Sequence, residues 1–306
     1  MSIGYEYGNA RLAARRARFL GSESIRELGQ ARGPGEFLAL LAHEPDWRAV
    51  RRGPAAPGAD ARAAAEDLVE RWRAAGQTEV LRHYDPPIRR LVEVLVMPLD
   101  AERIIEILRR RRAGSPPDEV DRSLPPGALL GEGTLGSLLR TPSDAALFRG
   151  LGEIGFIARD AAHALAALAE GRAGFPDPDA RAAAVEVGFR RAIEHARGDR
   201  AQGRGADAAE VRAILAAEAA DRDAVAAEMA VHGPTPAAVL ERTLALERWA
   251  THARRAHRDP LGIGPVVAFV AAVELTAVRL RAVLARVAGA WHDEQLAACL
   301  VGVVET

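Results

Sequence analysis

The sequence predicts an all-α protein, and three observations support this prediction. Alternating patterns of β-branched and aromatic residues, which mark strands, are absent, while alanine, leucine, arginine and glutamate dominate. Clusters of proline and glycine divide the 306 residues into pieces of one to three helices each. Several pieces carry apolar residues three and four positions apart, which is the period of a helix with a buried face.

The predicted helices begin and end at the proline and glycine clusters. Proline suits the first turn of a helix, because the amide that it lacks would have no partner there. We therefore expect helix boundaries at Gly33-Pro34-Gly35, Gly53 to Gly58, Asp85-Pro86-Pro87, Ser115-Pro116-Pro117, Pro125-Pro126-Gly127, Phe175-Pro176-Asp177-Pro178, Gly198 to Gly205, Gly233-Pro234 and Asp259 to Pro265.

The helix with the clearest pattern follows the last of these clusters. Pro265 fits its first helical position, and apolar residues then recur four and three apart, at Val266, Val270, Val273, Ala277, Leu280, Leu284 and Val287. Further apolar residues lie beside this seam, so we expect the helix to be covered on more than one side. The charge-free run between Asp259 and Glu274 is too short to span a bilayer and favours a buried core helix.

A weaker form of the pattern recurs, which predicts three helical modules. Segments 100–108 and 207–215 both begin Asp-Ala, continue with apolar residues at their fifth and eighth positions and end in leucine. Asp100 and Asp207 are predicted N-caps of these helices. A separate helix, entered through proline and running to Met97, precedes the first copy. The residues from Arg279 to Leu284 repeat the last part of the repeated segment. We expect a single domain over residues 1–306, built of three modules of roughly 1–97, 98–205 and 206–306.

The bulk composition narrows the classes of function. A hydrophobic fraction of 49% allows a sizeable core, and a net charge of −1 argues against a nucleic-acid-binding protein. All 41 basic residues are arginine, which indicates a genomic compositional bias. The single Cys299 excludes an intramolecular disulfide and fits a reducing compartment. The polar N-terminus has no signal-peptide pattern, so we expect a soluble protein in the cytoplasm or on the cytoplasmic face of a larger structure.

Two glycine motifs invite a nucleotide-binding interpretation that their context does not favour. The segments 131–136 and 150–155 both match G-x-G-x-x-G. Neither follows a predicted strand, and each carries a glutamate where a phosphate would approach, so glycine-rich helix turns are the favoured interpretation.

The histidines offer no metal site by their spacing. Asp160 and His163 share a helix face, as do Glu228 and His232, but a metal site needs three or four converging ligands. The run 292–294, His-Asp-Glu, looks like a helix start, and Cys299 lies in an apolar segment typical of an inert packed thiol. We therefore assign no catalytic, cofactor-binding or metal-binding residue and expect no cofactor.

Two arginine clusters each have two interpretations. Arg109 to Arg112 closes a helix, where positive charge opposes the negative end of the helix dipole. The first helix carries a similar set at Arg11, Arg15, Arg16 and Arg18. Each cluster is either a solvated helix face or a docking patch for an acidic partner. The residues alone thus indicate a helical adaptor or scaffold.

Four segments resemble the C-type subunit of the archaeal and vacuolar-type rotary ATPases, which carries the letter d in the eukaryotic vacuolar enzyme. The two ends carry the most specific similarity, and the middle blocks look like internal copies: Tyr5 to Leu20, Pro98 to Arg112, Asp207 to Leu215, and Pro260 to Phe269 continued by Glu274 and Arg279 to Leu284. The family often has asparagine before the Leu-Arg of each copy, whereas Arg103, Glu210 and Arg279 stand there in this chain.

The resemblance implies a funnel of three similar helical modules about a pseudo-threefold axis, with no catalytic residue. It implies a central-stalk rotor subunit, peripheral to the membrane on its cytoplasmic face, that joins the rotor-shaft subunits to the proteolipid ring. Such a subunit transmits torque for proton or sodium transport coupled to ATP synthesis or hydrolysis. Two alternatives stay open: a helical ligand- or metal-binding protein or enzyme, and a diverged homologue without rotary partners.

Overall fold

A computed structural model describes residues 5–48, 50, 60–172, 177–203, 205–254 and 261–289. These residues contain helices and no strand, as the sequence predicts. The helices are α1 (Tyr5–Arg16), α2 (Ser22–Leu28), α3 (Pro34–His43), α4 (Pro45–Arg48), α5 (Ala61–Leu81), α6 (Pro86–Arg112), α7 (Pro117–Ser123), α8 (Glu132–Leu139), α9 (Asp144–Glu153), α10 (Arg159–Ala169), α11 (Pro178–Arg200), α12 (Ala206–His232), α13 (Pro234–Ala253) and α14 (Gly264–Val287).

Proline marks the start of many helices, as predicted. The helices α3, α6, α7, α11 and α13 each begin at a proline, and α14 has Pro265 in its first turn. The predicted boundary at Gly53 to Gly58 and the residues before Leu261 in the last cluster lie outside the described residues.

The chain divides into two compact units. The first unit comprises Met1–Val92 and Gly205–Thr306, and the second comprises Glu93–Arg204. The second unit nearly coincides with the predicted middle module, while the residues of the other two modules belong to the first unit. The threefold relation among the modules stays a prediction.

In the first unit, α14 is the central helix. It packs against α5, α13, α1, α2 and α3. Its seam is buried up to Leu284, and Val267, Leu275 and Val283 beside the seam are buried as well, which confirms that it is covered on more than one side. Gly76 allows α5 to approach α14 closely, because a Cβ at this position would lie 2.9 Å from a methyl of Val273.

An aromatic cluster fills the first unit beside α14. Trp47 and Trp72 stack with ring centroids 4.6 Å apart, and Phe19 meets Trp72 at 5.1 Å and Phe269 at 5.4 Å. Aromatic residues make up only 5% of the chain, and four of them meet at this place. Such ring pairs add directional contacts to the apolar packing of the unit.

The second unit has its own core, made by α6 and α8 to α11. Leu147, Phe148, Leu151 and Phe189 are fully buried in it, and the rings of Phe148 and Phe189 lie 5.8 Å apart. Gly152 of α9 faces Ala162 of α10 so closely that a Cβ there would lie 2.6 Å from the alanine methyl. Small residues therefore set the close contact of α9 and α10.

The helix α6 differs from the prediction. The sequence predicts one helix ending near Met97 and another capped by Asp100, whereas α6 runs without a break through Pro98, which lies inside it. A proline has no amide to donate to the carbonyl four residues earlier, which here is that of Val94. Arg197 of α11 donates its Nε–H to this carbonyl oxygen at 2.8 Å. A side chain from another helix thus replaces the missing hydrogen bond.

Asp100 is not an N-cap. It is fully buried in the interior of α6, and its two carboxylate oxygens accept the amides of Leu129 at 3.0 Å and Leu130 at 2.9 Å. Gly127 belongs to the same turn, because a Cβ there would overlap the Asp100 carboxylate. Asp100 therefore fixes the turn that leads into α8.

Asp207 is not an N-cap either. Gly205 is the residue that precedes α12, and Asp207 lies in its first turn. Its carboxylate accepts the amide of Ile263 at 3.1 Å, next to the start of α14. In both copies of the repeated segment, the aspartate thus binds the backbone of a turn that precedes a later helix.

Candidate functional site

The glycine motifs are parts of helices and turns. Residues 131–136 begin α8, and residues 150–155 end α9, where Gly155 has a φ of +70°. No strand precedes either motif among the described residues. The geometry of a phosphate-binding strand–loop–helix is therefore lacking at both motifs, as the sequence predicts.

The histidine pairs bring no third ligand with them. Asp160 and His163 are exposed on α10, and His232 is the exposed last residue of α12. Over the parts of the chain that the structure describes, no group of three or more histidine, cysteine, aspartate or glutamate side chains could hold a metal ion. Cys299 and the run 292–294 lie outside the described residues.

The four arginines from Arg109 to Arg112 all contact side chains or backbone of the second unit. Arg109 donates to both carboxylate oxygens of Glu186, at 2.8 and 3.3 Å, and Arg112 donates to one of them at 3.1 Å. Arg110 pairs with Glu106, and Arg111 binds the backbone and hydroxyl of Thr141 and lies 3.6 Å from Asp144.

These contacts join the end of α6 to α11 and to the turn between α8 and α9. The hydrogen bonds from Arg109 lower the pKa of Glu186, and the same pairing raises the pKa of Arg109. The cluster therefore contributes to the packing of the second unit.

The arginines of α1 divide between the same two interpretations. Arg15 pairs with Asp46 of α4, and Arg11 lies 5.7 Å above the ring of Tyr7. Arg18 is exposed beyond the end of α1. Two of the four arginines, Arg11 and Arg15, thus have local contacts.

Asn9 and Asp207 hold the turn before α14 from two sides. Asn9, on α1, donates its amide to the carbonyl oxygen of Gly262 at 3.0 Å, and Asp207 accepts the amide of Ile263. Tyr84 donates its hydroxyl to Asn9 at 2.7 Å, and burial raises the pKa of this phenol. Leu261, the first described residue of this turn, is 63% exposed. The turn thus presents an apolar side chain, and its backbone is held by the buried amide of Asn9 and the half-buried carboxylate of Asp207.

A buried ion pair joins α5 to α14. Arg73 donates its Nε–H to Glu274 at 2.8 Å, and the amide of Gln77 donates to the same carboxylate oxygen. Arg73 and Glu274 are 6% exposed each. Glu70 lies 3.5 Å from Arg73 and also pairs with Arg281 of α14, so the charges form a network along both helices.

Sequence reasoning missed the partners of these groups. Glu274 belongs to a family-like segment, but nothing in its own neighbourhood indicates that Arg73, two hundred residues earlier, is its partner. Arg197 and Asp100 carry no local signal either. A proline inside an apolar helical pattern is the one clue that the carbonyl of Val94 needs a donor from elsewhere.

The described polar clusters fix helices and turns and do not converge on a reacting position. Over the described residues, the fold is an all-α assembly whose polar clusters hold its helices and turns in place. None of the described helices is both long enough and apolar enough to cross a membrane.

The family model of the ATP synthase (C/AC39) subunit matches residues 8–176, which is more than half of the chain. The chain belongs to this family, as the resemblance predicts. A search among curated proteins gave no match. The C-terminal segment from Pro260 to Leu284 lies beyond the matched residues, so its similarity to the family stays a prediction. Membership indicates a structural subunit that associates with other ATP synthase subunits.

Proposed function

We propose that the chain is the central-stalk coupling subunit of a vacuolar- or archaeal-type ATPase. It links the rotor-shaft subunits to the membrane proteolipid ring and transmits torque between ATP turnover and proton or sodium transport. The family match over residues 8–176 is the observation that supports this proposal most directly. In this role the chain is peripheral to the membrane, on its cytoplasmic face, and binds no cofactor.

The internal contacts suit a part that carries mechanical load. Torque passes through a protein only if its helices keep their positions, and buried, directional bonds resist sliding better than apolar contacts alone. The Arg73–Glu274 pair between α5 and α14 is such a bond, and so is the bond from the Leu130 amide to Asp100.

We further propose that the chain consists of three related repeats, of roughly 1–97, 98–205 and 206–306, arranged as a funnel about a pseudo-threefold axis. The shared behaviour of Asp100 and Asp207 supports a common origin of the second and third repeats. Each accepts a backbone amide from the turn before a later helix, α8 in one case and α14 in the other.

Co-elution of the purified chain with its partners tests the proposed function. The chain is mixed with the rotor-shaft subunits, or with the catalytic head subunits alone, and each mixture is run by size exclusion at low ionic strength. We expect a complex with the shaft subunits and none with the head subunits alone. Absence of a shaft complex, or an equal complex with both, contradicts the proposal.

A second measurement tests the link to the ring. Membranes stripped of peripheral subunits are incubated with the chain, with and without the shaft subunits, and sedimented. We expect the chain to sediment with ring-containing membranes and to recruit the shaft subunits. Equal sedimentation with membranes that lack the ring contradicts a specific ring contact.

A further inference from the structure

We propose that the middle of α11 is a docking site for an acidic segment of a partner protein that also carries an apolar side chain. The site, which we call the α11 patch, consists of Val187, Arg190 and Arg191 with the neighbouring Arg109 and Arg112 of α6. The inference deepens the proposed function and rests on it, since the acidic segment would belong to another subunit of the assembly.

The exposed face of α11 places the two arginines beside an apolar residue. Val187 is 51% exposed, and Arg190 and Arg191 follow it by three and four positions, so all three lie on one side of the helix. Both arginines are exposed, and neither has a hydrogen-bond or ion-pair partner within the described part of the chain. Among the described residues of α11, Val187 is the one large apolar side chain that is exposed.

The neighbouring charges leave the patch positive. Arg109 and Arg112 share the single carboxylate of Glu186, which precedes Val187. Glu194, one turn beyond the free arginines, is half-buried and has a partner of its own. Guanidinium groups therefore outnumber carboxylates in the patch, although the chain as a whole has a net charge of −1. This local excess is complementary to an acidic segment.

The side-chain chemistry favours a protein partner over a lipid surface. A guanidinium presents a planar fork that matches a carboxylate, and Arg109 already binds both oxygens of Glu186 in this manner. Stable membrane binding requires a wide apolar helix face or several lipid-inserting residues, whereas α11, as the structure describes it, offers Val187 alone. An acidic segment with one apolar side chain fits both parts of the patch.

Charge reversal tests the proposal, with a matched control. The variant Arg190→Glu/Arg191→Glu changes the patch, and Arg26→Glu/Arg90→Glu makes the same change of charge at two exposed arginines of the first unit. Circular dichroism and size exclusion first establish that both variants are folded. Binding to the ATPase subcomplex that lacks this chain is then measured at low ionic strength and at about 0.15 M salt.

We expect the patch variant to lose affinity about tenfold or more at low salt, and the control variant to stay within about twofold of the wild type. The variant Val187→Ser should weaken binding without changing its salt dependence. Equal affinities of the patch variant and the wild type, or an equal loss in the control, overturn the proposal.

A separate probe distinguishes failure of the patch from failure of the proposed function. A fluorescent helical peptide with glutamates spaced around a leucine, and vesicles containing phosphatidylserine, are titrated with each protein. If the wild type binds no ATPase subcomplex, the proposed function is contradicted. The titration with the acidic peptide then tests the α11 patch independently. Peptide binding that Arg190→Glu/Arg191→Glu abolishes supports the patch. No peptide binding, or binding of vesicles alone, overturns it.

Discussion

Pro98 and Arg197 form a pair whose energetic coupling can be measured. Pro98 leaves the carbonyl of Val94 without its helical donor, and the Nε–H of Arg197 takes that place at 2.8 Å. Val94 is fully buried and Arg197 is 5% exposed, so water does not replace this hydrogen bond readily. The variant Arg197→Met removes the donor while keeping much of the side chain's apolar length.

A buried carbonyl that loses its partner costs about 1–3 kcal/mol, so Arg197→Met should lower the free energy of unfolding by about 2 kcal/mol. Pro98→Ala adds an amide within reach of the same carbonyl. In the Pro98→Ala background the carbonyl keeps a donor, and Arg197→Met should cost about 1 kcal/mol less there. The difference between the two costs of Arg197→Met measures the hydrogen bond to the Val94 carbonyl alone, because the other contacts of Arg197 are lost equally in both backgrounds.

Hydrogen exchange of the α6 amides, measured by mass spectrometry, reports this local stability without requiring the two units to unfold together. Denaturant titration followed by circular dichroism gives the global value. Arg190→Met, which changes an exposed arginine on the same helix, is the control and should change stability by less than about 0.5 kcal/mol. If Arg197→Met costs the same in both backgrounds within about 0.3 kcal/mol, Arg197 does not serve the carbonyl that Pro98 frees.

Three further predictions concern the buried polar groups and a close contact between α5 and α14. Burial raises the pKa of Asp100 to about 6 from an ordinary 3.8. The folded state therefore holds a proton that the unfolded state releases, and stability should fall by about 3 kcal/mol as pH rises from about 4 to about 6. Subtracting the denaturation profile of Asp100→Asn isolates this change, and parallel profiles would contradict it. Glu274→Gln should cost about 3 kcal/mol, because the guanidinium of Arg73 loses its closest counter-charge in a buried site. Arg73→Met in the same chain should restore part of the loss in chemical denaturation, and a purely additive double variant would count against the pair. Gly76→Ala should destabilise the first unit by about 1–3 kcal/mol, since the new methyl meets Val273. Val273→Ala should relieve that strain in thermal melts, and equal melting losses with and without it would show that the contact is not the cause.

Helix class and many helix starts could be predicted from the sequence because they depend on neighbouring residues. Proline in a first turn fixes φ and costs no hydrogen bond, so Pro34, Pro86, Pro117 and Pro178 mark boundaries by themselves. The same reasoning fails at Pro98. There the cost of proline inside a helix, about 3 kcal/mol relative to alanine, is offset by burial of the surrounding residues and by a donor from α11.

The polar groups also divide into those that neighbouring residues explain and those that depend on contacts distant in the sequence. The spacing of histidines and the context of the glycine motifs argued against a metal or phosphate site on local grounds, and that interpretation stays a prediction. Arg109 and Arg112 could not be assigned from spacing, because their partner Glu186 lies more than seventy residues away. Asp100 fits an N-cap by residue type alone, and only its burial beside the amides of Leu129 and Leu130 shows otherwise.

The sequence by itself determined the helical class, the buried character of α14 and the family, since periodicity, proline positions and family motifs are written along the chain. Tertiary structure decided which polar groups meet: Arg73 with Glu274, Arg197 with the carbonyl of Val94, and Asp207 with the turn before α14. The physical reason is distance along the chain. A local pattern constrains residues within a few turns, whereas the partner of a buried charge is chosen by how the helices pack.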